Sequence, residues 1–157
     1  MNKKYIEKIQ KKILELLPEE KRQKKMLLLE DSCSELSRLA ASWMNENDKS
    51  SRQAILKGDN VCNTNKSHDI LASIKNGKVY LIDPTIWQFF PDENSILIGE
   101  YTSLDEAFAA VTKKYSGNWQ KSEDLKEISS KEKNELLEII LEIIKDNIKE
   151  SLNKGQS

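Results

Sequence analysis

The stretch Ser67–Gln88 constrains this chain more than any other, because it carries an Asn76-Gly77 pair between two runs of alternating apolar residues. Asn-Gly tolerates the positive φ angles of a type I′ turn, the two-residue loop whose twist suits a pair of antiparallel strands. With those two residues as the loop, Lys75 faces Lys78 and Ile74 faces Val79. The same register sets His68 opposite Thr85 and Asp83 opposite Ile70. Side chains alternate along a strand, so His68, Ile70, Ala72, Ile74, Val79, Leu81 and Asp83 share one face. On it His68 and Asp83 are diagonal neighbours, about 7–8 Å apart at the backbone and within reach of their side chains. The only histidine of the chain is therefore expected beside a carboxylate on the packed side of a sheet. That arrangement orients an imidazole as a general base.

The remaining segments supply the frame. Ile6, Ile9, Ile13, Leu16 and Leu17 fall at helical spacing over residues 3–17, and Pro18 ends that helix. Pro18-Glu19-Glu20 suits the first turn of a second helix, which fades after Leu29. Ser32-Cys33-Ser34-Glu35 fits a capping box with Ser32 as N-cap, which makes Cys33 the first helical residue. Unpaired backbone N–H groups and the helix dipole at such a position favour a thiolate. The alternative is a small thiol packed at a helix start. Strands are expected at 53–57, 68–75, 78–83 and 95–101, with one face of the sheet against the helix that begins at Cys33. Ser103–Glu106 forms another capping box, for a helix that Gly117 ends. A final helix runs from about Ser130 to Leu152 with a broad apolar stripe, which either seals the core with the first helix or forms a dimer or partner surface. The fold class is therefore α+β: about four antiparallel strands packed against helices. The whole chain, 1–157, reads as a single domain, with N-terminal helices over 1–30, a core over 31–120 and a C-terminal helix within 121–157.

Composition narrows the function classes. Lys and Arg total 25 against 26 Asp and Glu, a balance that does not suggest nucleic acid as a partner. Two cysteines without CxxC spacing and one histidine make neither a usual zinc site nor a need for a cofactor, and leave a Cys33–Cys62 disulfide open beside two free thiols. Cys62 lies in a loop with no cap or acidic partner in view. There is no apolar signal region and no run of about 18 apolar residues, so a cytoplasmic location without membrane contact is the default expectation. Export that uses no cleaved signal stays open.

Together these readings give a cysteine at a helix start, then His68 on a strand, then Asp83 closing the next strand. Cys33 would be the nucleophile, His68 the base that takes and returns its proton, and Asp83 the group that orients the imidazole. This order, with Asp83-Pro84-Thr85 after a strand, resembles the transglutaminase-like and papain-like cysteine enzymes. The short Cys-to-His distance and Gln88 soon after the aspartate look most like the papain-like glutamine deamidase domains of bacterial toxins and effectors. The resemblance covers roughly residues 32–90. It implies a papain-like core and an amidase that works through an acyl-thioester on a protein or peptide presenting a glutamine amide. Proteolysis and transglutamination share the same first step. Two places depart from the pattern: Ser32 stands where a glycine often precedes the cysteine, and Asp69-Ile70 where Ala-Trp often follows the histidine. Gln88 is either an oxyanion or substrate-positioning group or a polar residue on a turn. The competing class is a non-enzymatic binding module of the same fold that acts through protein–protein interaction, with His68 and Asp83 satisfying each other in the core.

Overall fold

The computed structural model describes residues 3–154, and its architecture is α+β with five α-helices and one five-stranded antiparallel sheet among the described residues. Helix α1 (Lys3–Glu15) is followed by a 3₁₀ turn (Glu19–Lys24), the short α2 (Lys25–Leu28) and α3 (Cys33–Asn47). Strands β1 (Arg52–Asp59), β2 (His68–Lys75), β3 (Lys78–Ile82) and β4 (Leu97–Tyr101) come next, then α4 (Leu104–Tyr115), β5 (Asn118–Leu125) and α5 (Ser130–Lys154). The strand order is β4-β3-β2-β1-β5.

The hairpin forms in the expected register. Lys75 pairs with Lys78 and Ile74 with Val79. Asn76 and Gly77 have φ of 52° and 77°, the two positive angles of a type I′ turn. One other expectation needs correction. The sheet has five strands rather than four, because Asn118–Leu125 pairs along β1. That segment is polar and mostly exposed, so no apolar alternation marks it as a strand. One face of the sheet packs against α3, as expected; it is the face opposite the one that carries His68, because both faces of the sheet are packed. Leu71, Tyr80 and Ile82 point into a core built with α1, α2, α3 and α5. Ala54, Leu56, Ile70, Ala72, Val79 and Leu81 point the other way, against Ala107, Val111 and Tyr115 of α4. A parity argument finds which residues share a face; it does not say which helix covers it.

Helix α5 seals the larger core against α3 and α2 through Ile140 and Ile144, and not mainly against α1. Its Asn147 Nδ2 donates to the carbonyls of Leu28 at 3.0 Å and Glu30 at 2.9 Å. The Tyr5 hydroxyl ties α1 to α3 by donating to the Trp43 carbonyl at 2.6 Å. At the other end of the sheet, Gly58 pairs with His68 on one side and Trp119 on the other. A Cβ at Gly58 would lie 2.5 Å from the Trp119 indole, so only glycine lets that ring lie flat over β1. Gly58→Ala is expected to cost about 1–3 kcal/mol of stability, the usual range for overpacking. Urea unfolding of the variant checks this, with a shift in the midpoint and an unchanged slope.

Candidate functional site

The site is assembled from the ends of three elements. His68 is the first residue of β2, Asp83 follows the last residue of β3, and Cys33 is the first residue of α3. The Ser37 hydroxyl donates to the Asp69 carbonyl at 3.3 Å, which holds the opening turns of α3 beside the start of β2. The helix therefore lies over the opposite face of the sheet while its first residue reaches the sheet's end, where His68 begins.

His68 and Asp83 meet as the diagonal argument requires. His68 Nε2 lies 2.7 Å from Asp83 Oδ2, with side-chain exposures of 1% and 0%. The carboxylate is satisfied from several directions. The Thr85 N–H donates to Oδ1 at 3.1 Å, and the Tyr115 hydroxyl donates to Oδ2 beside the imidazole. Asp83 is held in place by its own N–H, which donates to the Ile96 carbonyl at 2.8 Å. An aromatic shell closes around the imidazole. The Phe89 ring meets it edge-on at 4.9 Å between centroids, and Tyr115 stacks on it at 5.7 Å.

With Nε2 committed to Asp83, Nδ1 is the nitrogen left for Cys33. Nδ1 is buried and has no partner in hydrogen-bond geometry, yet the Cys33 side chain lies close enough to help hold the ring's proton. Burial opposes the charged imidazolium. The charge and hydrogen bond of Asp83, joined by Cys33, outweigh it and raise the pKa from 6.5 to about 10. Burial, and next the Asp83 carboxylate, push the Tyr115 phenol far up, so it stays a neutral donor.

Tyr115 is the residue that sequence reasoning missed as part of the site. Its spacing from Ala107 and Val111 marks it as a member of the apolar face of α4. Nothing in that spacing says that the face ends over Asp83.

Cys33 is partly exposed and opens into a cleft of about 510 Å³. Three segments line it: α2 with the turn after it, the loop Asn65–Ser67, and Gln88 with Phe89. A second hollow, of about 520 Å³ between β5 and α5, shares no residue with this one and is not lined by Cys33, His68 or Asp83. The expected capping box at Ser32 does not form. Ser32 is fully buried, and its hydroxyl turns back to donate to the Leu29 carbonyl at 2.6 Å. The first turn of α3 is thereby left without a side-chain cap, and its N–H groups remain available beside the thiol. Gln88 lines the same cleft and donates from Nε2 to the Leu29 carbonyl, which leaves its Oε1 and second N–H outside that bond.

Cys62 is a free thiol like Cys33, and it does lie within electrostatic reach of an acid. Burial and then the Asp83 carboxylate push its pKa up, against a smaller pull from Lys114. Among the described residues no group of three His, Cys, Asp or Glu is placed to hold a metal ion, and no helix is long and apolar enough to cross a membrane. Comparisons with protein-family models, curated proteins and solved structures return no match for this chain.

Two outcomes follow from this geometry. A group whose pKa is raised on folding adds stability that is fully present below its unfolded value, here 6.5, and lost as pH rises through about 10. NMR titration of the single imidazole should accordingly give a midpoint near pH 10 in the folded protein; a midpoint near 6.5 would mean that Asp83 does not hold the proton. Tyr115→Phe deletes one donor to a buried carboxylate and should lower unfolding free energy by about 1–3 kcal/mol, as measured by urea titration at neutral pH.

Proposed function

We propose that this protein is a cysteine amidase with a papain-like or transglutaminase-like core, using Cys33, His68 and Asp83 on the side-chain amide of a glutamine. The observation that carries this reading is a partly exposed thiol, at a helix start with no side-chain cap, near enough to add to the raised pKa of a fully buried histidine whose Nε2 is bonded to a carboxylate. The remaining nitrogen, Nδ1, is buried without a hydrogen-bond partner, and Cys33, which borders a cleft, lies near enough to the imidazole to help raise its pKa.

The chemistry runs in two halves. The Cys33 thiolate attacks the amide carbonyl, forming a C–S bond and an oxyanion that the free N–H groups at the start of α3 stabilise. Gln88 is placed to join them or to hold the amide. As the C–N bond breaks, imidazolium His68 gives its proton to the departing ammonia. His68, now neutral, takes a proton from water, which adds to the thioester; the C–S bond breaks and a glutamate is left. Asp83 keeps the imidazole in place throughout, and Tyr115 and Thr85 keep Asp83 in place. A cleft of about 510 Å³ suits a side chain with its immediate neighbours more than a long peptide. No step needs a cofactor.

His68 sits too deep for truncation to be a clean test. His68→Ala would strand a buried carboxylate at a cost of about 3–5 kcal/mol, whereas His68→Gln keeps a donor for Asp83. Iodoacetamide labelling between pH 5 and 9 is expected to modify Cys33 in Cys62→Ser and to fail in Cys33→Ala. In His68→Gln the labelling rate at neutral pH should fall, and ammonia release from glutamine peptides should drop about 10²–10⁴-fold, the usual worth of acid–base catalysis. Unchanged labelling kinetics in a folded His68→Gln variant, with no ammonia from wild type, would leave the binding-module reading in its place.

A further inference from the structure

The wall of the Cys33 cleft built by residues 26–31 has properties that the triad does not use. Met26 and Leu27 are adjacent and each 43% exposed, among the few large apolar side chains of the described residues left in solvent. Glu30 and Asp31 follow them, and neither carboxylate has an ion-pair partner among the described residues. Lys66 is the one other ionised side chain on the cleft besides these two acids, so its rim carries two carboxylates against one ammonium. This wall is also held still. The Leu28 and Glu30 carbonyls accept from Asn147, and the Leu29 carbonyl accepts from Ser32 and Gln88. An apolar ledge beside unpaired acids, fixed next to a nucleophile whose histidine has a buried free nitrogen, is a recognition surface with a definite sign.

We propose that the cleft selects a protein segment in which the reacting glutamine stands close to a basic residue, Lys or Arg, that pairs with Glu30 and Asp31, while an apolar neighbour rests on Met26 and Leu27. This deepens the amidase reading and rests on it for the identity of the reacting residue. The charge recognition itself can be measured without catalysis. Only a short segment fits, so the basic residue must lie within a few positions of the glutamine. At about 8 Å of screening length in physiological salt, a charge further along the chain would not feel the pair.

The test uses fluorescent peptides with one Gln-Leu core, carrying a single Arg or a single Glu at each flanking position in turn. Anisotropy on full-length Cys33→Ala should show the best Arg peptide binding about three- to tenfold more tightly than its Glu counterpart, the range of one or two partly exposed ion pairs. The ratio should vanish in Cys33→Ala/Glu30→Gln/Asp31→Asn and shrink at high salt, with circular dichroism confirming that the variant is folded. Equal binding of the two peptides, or a ratio that survives the acid substitutions, overturns the proposal. An amine probe, dansylcadaverine, supplies a further arm in wild type and Glu30→Gln/Asp31→Asn. If the acid substitutions raise its KM while the peptide ratio is unchanged, the acids serve an amine acceptor and the proposal fails. Ammonia release by wild type separates the two levels: a retained binding ratio without turnover of any peptide sinks the amidase and leaves the recognition standing.

Discussion

A buried ion pair governs this molecule. His68 and Asp83 lie 2.7 Å apart with almost no exposure, in surroundings where a lone charge would cost several kcal/mol. Such a pair is tolerable only if its geometry is good and its leftover valences are filled. That requirement reaches outward. It needs β2 to begin and β3 to end side by side, the Asp83-Pro84-Thr85 turn to present an N–H, and α4 to finish with a phenol above the carboxylate. Phe89 and Tyr115 keep water from the imidazole and thereby strengthen its attraction to Asp83. Removing any of these fills the same place with either water or an unpaired charge.

The two-sided packing of the sheet also decides what surrounds the pair. Helix α3 occupies one face and α4 the other, so side chains at the sheet's end can be approached from both layers. Tyr115 arrives from the α4 side and Cys33 from the α3 side. The imidazole has Nε2 on the carboxylate and Cys33 near enough to add to its raised pKa.

The most local signals were the most legible. Asn76-Gly77 set the hairpin register, and the register brought His68 to Asp83, because a two-residue turn leaves a strand pair no freedom to slip. The start of α3 at Cys33 was equally readable from its flanking residues. What failed were properties settled by the tertiary fold. Ser32 has the right identity for an N-cap, but burial beside Leu29 gives its hydroxyl a nearer acceptor. β5 is held by its backbone pairing to β1 and by Trp119 lying over Gly58; its own side chains, Lys121, Glu123 and Asp124 among them, say only that the segment is exposed. Tyr115 carries no mark of its partner, since a phenol at a core position and a phenol over a carboxylate have the same spacing.

The bonds from Asn147 carry a consequence for the order of events in synthesis. The cleft wall at Leu28 and Glu30 is anchored by a side chain more than a hundred positions later, at separations of 119 and 117 residues. Translation proceeds at about 5–20 residues per second. For several seconds a nascent chain therefore has its hairpin and its thiol but no finished wall beside them. Cys33 exists before the wall beside it is finished, and α5, the last described element to be made, completes that wall.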